Sequence, residues 1–131
     1  METFDTNVVL RIVYDDDAAQ AARTRDAWRL AVNAGGVFIP TVVLVELAWV
    51  LRVAAKFDRP AISTALRHLC DSQGVVIEEA PRVRRALLGY EAGSADFSDY
   101  MVLEARRDAG ALPVHTFDER FARNADVTPI G

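Results

Sequence analysis

Along this chain a short apolar run, a turn or cap signal and a helical pattern recur in that order about four times, the signature of βα units laid around a parallel sheet. The first run is the opening Met1-Glu2-Thr3-Phe4, a strand too short to hold itself together. It is followed at once by a carboxylate, a hydroxyl, an amide and an apolar stretch, Asp5-Thr6-Asn7-Val8-Val9. The later runs are Val37-Phe38-Ile39-Pro40, Val75-Val76-Ile77 and Leu112-Pro113-Val114-His115-Thr116. Val127-Thr128-Pro129-Ile130 adds a fifth, edge strand, because Pro129 would cost a ladder bond in a sheet interior. If the opening strand sits centrally, Asp5 lies at its carboxyl end, where open α/β sheets build their sites.

Between the runs the helix signals are regular. Val8, Val9, Leu10, Ile12 and Val13 form a short buried helix ending at Tyr14, and Asp15-Asp16-Asp17 cap the next, which runs to a stop at Gly35-Gly36. Thr41 is a candidate N-cap for residues 42–51, which are apolar on nearly every face except at Glu46. Such a helix is expected to be buried on more than one side, against the sheet and a second subunit. Asp58 and Pro60 open a helix with Ile62, Leu66, Leu69 and Cys70 as its core stripe and Gly74 as its stop. Pro81 begins another, with Val83, Leu87 and Tyr90 inward. Asp96-Phe97-Ser98-Asp99 leads into one that ends at Gly110, and residues 117–120 open a short last helix.

With 131 residues, 51% of them hydrophobic, the chain fits a single domain over 1–131 with a core that needs no staples. Its mean hydropathy of +0.08 and its broken apolar runs predict no membrane span, and the N-terminus shows no signal-peptide pattern, so a cytoplasmic protein is expected. Cys70 is the single cysteine, which excludes an internal disulfide and reads as core filler. His68 and His115 are isolated, there is no Gly-rich phosphate loop, and a nucleophilic triad has no candidates.

The net charge of −4 ordinarily argues against a nucleic-acid partner. That argument weakens if several of the acids share one pocket and are offset by a bound cation. Placed on the predicted layout, Asp5, Glu46, the pair Asp96 and Asp99, and Asp118 fall at one end of the sheet. Close like charges repel, and a divalent ion is the usual reason to tolerate them. Glu46, flanked by Val43, Leu44, Val45, Leu47, Ala48 and Trp49, would be expensive to bury without a partner or a metal. Each of the others has an alternative as a helix cap: Asp5 on the first helix, Asp96 with Asp99 as N-cap and N3, Asp118 on the helix after strand four.

Together the segments Phe4-Asp5-Thr6-Asn7, residues 40–52 around Glu46, Gly93-Ser94-Ala95-Asp96-Phe97-Ser98-Asp99-Tyr100 and Thr116-Phe117-Asp118 resemble the PIN-domain family, most closely the VapC toxins of toxin–antitoxin pairs. The resemblance covers essentially the whole chain. It implies a three-layer α/β/α sandwich with a four- to five-stranded, mainly parallel sheet and a ribonuclease dependent on Mg²⁺ or Mn²⁺. By it Asp5 and Asp99 are the principal metal ligands, Glu46 and Asp118 complete the acidic quartet, and Asp96 assists. Thr6 and Thr116 match small polar positions beside the metal. It further implies a VapB-like antitoxin as partner and a homodimer. The short first strand departs from the family pattern, and Glu119 beside Asp118 leaves the fourth acid ambiguous.

In this scheme Arg82, Arg84, Arg85, Arg11 and Arg52 are candidates for RNA contact, with a solvated surface as the plainer role for the 82–85 cluster. The competing function is a non-catalytic, partner-binding α/β domain whose acids only cap helices. A phosphate-receiver domain is disfavoured, because Asp5-Thr6-Asn7 lacks the second acid of a phosphotransfer loop and Lys56 does not follow a late strand.

Overall fold

In the computed structural model, which describes residues 1–14 and 17–131, the opening strand Glu2–Thr3 (β1) survives at two residues by pairing parallel with Val37–Ile39 (β2). β2 also pairs parallel with Val75–Ile77 (β3), giving the order β1-β2-β3. The opening strand is therefore an edge of this sheet and not its centre. The central position goes to β2, whose Val37 and Ile39 are almost wholly buried and which has the apolar content to occupy it. Glycine backbone makes the close approach at the start of the sheet. The Glu2 N–H donates to Gly36 O at 3.0 Å and the Val37 N–H to Gly74 O at 2.8 Å, while a Cβ on Gly36 would stand 3.0 Å from that same Gly74 oxygen.

Among the described residues of this first unit, Met1–Ala80, four helices accompany the sheet: Thr6–Val13 (α1), Ala18–Ala34 (α2), Thr41–Val53 (α3) and Arg59–Asp71 (α4). Their ends follow the sequence signals closely. Asp5, Asp17 and Asp58 each cap a helix through a side-chain oxygen, Tyr14 ends α1 and Gly35 ends α2. The capping roles expected of Asp15 and Asp16 lie outside the described residues. Thr41 departs from expectation. It is the first helical residue behind Pro40, and its N–H and hydroxyl both donate to Glu78 Oε1, at 2.9 and 3.0 Å.

α3 is buried along one stripe only, formed by Val43, Leu44, Leu47, Ala48 and Leu51, where it packs on α1 and α4. On the opposite stripe Val42, Glu46, Trp49 and Val53 are exposed in the single chain, so within one chain the helix is buried on one side, and the expected second subunit is untested by it. Hydropathy of the segment could not separate the two stripes, because both are apolar apart from Glu46.

The second unit, Pro81–Gly131, contains most of Ala80–Ala92 (α5), with Phe97–Ala109 (α6), Val114–Thr116 (β4), a single 3₁₀ turn at Phe121–Arg123, and Val127–Pro129 (β5). β4 and β5 pair parallel with each other. The mixed α/β class with parallel strands stands, and among the described residues the five strands are paired as a three-stranded and a two-stranded sheet where one four- to five-stranded sheet was expected. Ten residues join β4 to β5, close to the shortest crossover a parallel pair accepts, and this lets the last two strands make their own ladder. The short helix expected at 117–120 is displaced to that 3₁₀ turn, because Asp118 caps it from outside.

Aromatic rings hold the second unit together. Tyr90 meets Phe97 and Tyr100 edge-on with centroids 6.1 and 6.5 Å apart, and Tyr100 meets Phe121 at 6.4 Å. The Tyr100 hydroxyl donates to Asn124 Oδ1 at 3.2 Å and accepts the Ala95 N–H at 3.4 Å. Gly89 and Gly93 make room for that ring: a Cβ on Gly93 would fall 1.8 Å from the Tyr100 hydroxyl oxygen. Gly93→Ala is accordingly expected to destabilise the protein by about 1–3 kcal/mol, the range of an overpacked core. Thermal denaturation checks this against Gly110→Ala, whose added methyl meets nothing within 4 Å and whose cost is only that of a left-handed backbone.

Candidate active site

Asp5 follows β1 and stands at the head of α1, where its Oδ1 accepts the Val8 N–H at 3.1 Å. An oxygen acceptor at this place satisfies an amide that the helix leaves orphaned and meets the positive end of its dipole. The next residue, Thr6, is buried, and its hydroxyl donates to Glu46 Oε2 at 3.0 Å, joining α1 to α3 across forty residues of sequence. Glu46 itself is exposed, which corrects the expectation that its value lies in the cost of burying it. What singles it out is a carboxylate aimed by a buried hydroxyl.

In the second unit, Asp96 and Asp99 form a capping box on α6, with the Asp96 N–H donating to Asp99 Oδ2 at 3.2 Å. Asp118 Oδ1 accepts from the N–H groups of Arg120 and Phe121 at 2.8 and 3.2 Å, and the Asp118 N–H donates to Thr116 Oγ1 at 3.0 Å. These bonds tie Asp118, and not the adjacent Glu119, to Thr116. Each capping role weighed from sequence is thus present. Asp5, Asp99 and Asp118 cap through one oxygen each and Glu46 accepts from Thr6 through one: among the described residues, Asp5 Oδ2, Asp99 Oδ1, Asp118 Oδ2 and Glu46 Oε1 accept no hydrogen bond.

Asp99 stands apart electrostatically. Its partial burial pushes its carboxyl above the usual carboxylate range, and repulsion from Asp96 and Asp118 adds to the effect, against the Asp96 N–H that favours the charged form. The donors on both units, carboxylate and hydroxyl oxygens, suit a hard divalent cation in their chemistry. Among the described residues of either unit, no three His, Cys, Asp or Glu side chains are gathered closely enough to cage one. His68 and His115 are both exposed, and Cys70 is half-buried.

Two arginines of the 82–85 cluster form ion pairs within the second unit. Arg82 Nε donates to Asp108 Oδ2 at 2.8 Å, and Arg85 reaches Glu104 Oε1 at 2.9 Å and Asp108 Oδ1 at 2.6 Å. Arg107 closes the set on Glu104 Oε2 at 2.6 Å. Sequence reasoning missed Glu104, which is buried with both oxygens paired. Its signal was there, since Glu104 continues the inward stripe of Phe97, Tyr100 and Met101 on α6.

A family model described as the PIN domain matches residues 3–127 of the chain. No curated protein and no solved structure matches it.

Because the native state holds the Asp99 proton more tightly than the unfolded chain does, stability falls as pH rises from the ordinary aspartate range through the raised value, and the full cost is present above it. Asp99→Asn is therefore expected to raise Tm at pH 7, and the gain should vanish below pH values at which unfolded aspartate is already protonated. Melting curves of both proteins across that range provide the check.

Proposed function

Because the chain belongs to the PIN-domain family, whose members are generally nucleases that work with divalent metal ions, we propose that it is a Mg²⁺- or Mn²⁺-dependent endoribonuclease and the toxin of a toxin–antitoxin pair. The observation that carries the reading is Asp99: a half-buried carboxylate pressed by two like charges, the situation a bound cation relieves. Asp5 and Asp99 are assigned as principal ligands, with Asp118 and Asp96 assisting and Thr116 fixing the backbone at Asp118. When bound, such a cation acidifies a water and steadies the oxygen that leaves the phosphodiester.

The remaining work falls to the chain's own groups. Thr6 holds Glu46 by one oxygen, so the other is oriented to align the attacking water and take its proton. Backbone amides at the helix ends hold the Asp5 and Asp99 carboxylates in place, and at Asp99 this resists the swing that repulsion from Asp96 and Asp118 would otherwise drive. The motif order that resembles VapC toxins supports a cognate antitoxin and a homodimer in the cytoplasm. The exposed apolar stripe of Val42, Trp49 and Val53 is compatible with a protein partner.

A second reading, a partner-binding domain whose acids serve only as caps, is favoured by the backbone bonds each acid makes. Asn and Asp are about equal as N-caps, so Asp5→Asn separates the two. On the nuclease reading the variant keeps its Tm within about 1 °C per few tenths of a kcal/mol. It also loses RNA cleavage by roughly two orders of magnitude or more, beyond the 10–100-fold that losing an outer-shell partner typically costs. Full cleavage by Asp5→Asn, or no saturable Mg²⁺ heat with the wild type in calorimetry, would return the acids to capping alone.

A further inference from the structure

The seam between α1 and α2 opens into a groove of about 550 Å³ lined by Asn7, Val8 and Arg11 from α1 and by Gln20, Arg23 and Thr24 from α2. Among the described residues that line it, every side chain but Val8 is polar, two are cationic and none is acidic, in a chain whose net charge is −4. Its register is set by helix geometry: Asn7 and Arg11 lie four apart on α1, and Gln20, Arg23 and Thr24 share one face of α2. The Arg11 Nε donates to Gln20 Oε1 at 3.0 Å, which ties the two walls together and fixes the plane of the guanidinium.

One end of this groove is the head of α1. Asp5 is the cap of that helix and Asn7 stands in its first turn, so with a rise of about 1.5 Å per residue Arg11 lies roughly 9 Å along the axis from Asp5. We propose that the α1–α2 groove is the path of the RNA strand as it leaves the candidate active site, with Arg11 and Arg23 taking successive phosphates and Asn7, Gln20 and Thr24 bonding phosphate and sugar oxygens. This deepens the nuclease reading and rests on it.

The chemistry favours RNA backbone over an apolar or cationic occupant. Guanidinium forks match phosphate oxygens in pairs, and amide and hydroxyl groups donate to phosphate and accept from the 2′-hydroxyl. Few base-stacking surfaces line the groove, so contact is to the backbone and tolerant of sequence. Arg23 is exposed and, among the described residues, makes no ion pair, in contrast to Arg82 and Arg85, whose guanidinium groups are bound to Glu104 and Asp108.

The test uses the full chain with Mg²⁺ and a non-cleavable 2′-O-methyl RNA of about 12 nucleotides, a length single-strand sites accommodate. Binding is read by fluorescence anisotropy over a series of salt concentrations. Arg23→Gln is expected to weaken binding roughly tenfold and to lower the slope of log affinity against log salt by about 0.7, the value for one phosphate contact on a single strand. Arg11→Gln should do the same and serves as the second variant. Arg29→Gln, farther along α2 and paired with Asp26, should change neither quantity. Unchanged affinity and slope in both groove variants, with the wild type still binding and cleaving RNA, would overturn the groove and leave the nuclease reading intact, and the groove would then belong to an acidic protein surface. A wild type that neither binds nor cleaves RNA would overturn both.

Discussion

A carboxylate at the N-terminus of a helix is held from one side only, and that asymmetry governs this protein. The amides of the first turn take one oxygen and leave the second facing outward, as at Asp5 on α1 and Asp118 on the 3₁₀ turn. A side chain fixed in this way is a structural cap that keeps one oxygen out of the capping bonds. Capping therefore does not compete with the metal binding proposed above, because the two would use different oxygens of one carboxylate. Asp99 extends the idea, because its bond to the Asp96 amide holds it in a place where burial and two neighbouring charges make its ionised form costly. Without the amide, rotation of the side chain toward solvent would relieve the strain and remove the group from the site.

Glu46 reaches a comparable state by another route. It sits mid-helix, where no orphan amide is available, and takes its orientation from the buried Thr6 hydroxyl instead. That bond depends on packing between α1 and α3, so the core residues Val9, Leu44 and Leu47 act indirectly on where the carboxylate points.

The α/β class, the parallel pairing and nearly every helix boundary were legible in the sequence, because caps and breakers such as Asp17, Gly35, Asp58 and Gly110 act locally and carry their signal within a turn. The partition into two sheets was not legible. Strands of two or three residues have almost no periodicity of their own, and the choice of partner for β4 was made by a ten-residue crossover whose conformation depends on Asp118 and Tyr100. The capping alternatives for the acids were read correctly. The environment of Glu46 was not, since a segment apolar on both stripes gives no sign of which one faces inward. Gly89 and Gly93 illustrate a further gap, as their role is to make room for a ring on another helix and not to adopt a special backbone conformation.

The distribution of arginine completes the electrostatic picture. Of the 15 lysines and arginines only Lys56 is a lysine, so almost every cation can bind carboxylate or phosphate through a planar fork. In the second unit that capacity is turned inward: Arg85 and Arg107 neutralise buried Glu104, and Arg82 joins Arg85 on Asp108, whose carboxyl is held below its usual range chiefly by the Arg82 hydrogen bond. This network ties α5 to α6, the helix that carries the Asp96–Asp99 box at its N-terminus. In the first unit Arg11 and Arg23 line the α1–α2 groove with Asn7, Gln20 and Thr24. At physiological salt the field beyond about 8 Å is screened, so a polyanion of the kind proposed above would respond to local, oriented positive charges rather than to the net charge of an acidic chain.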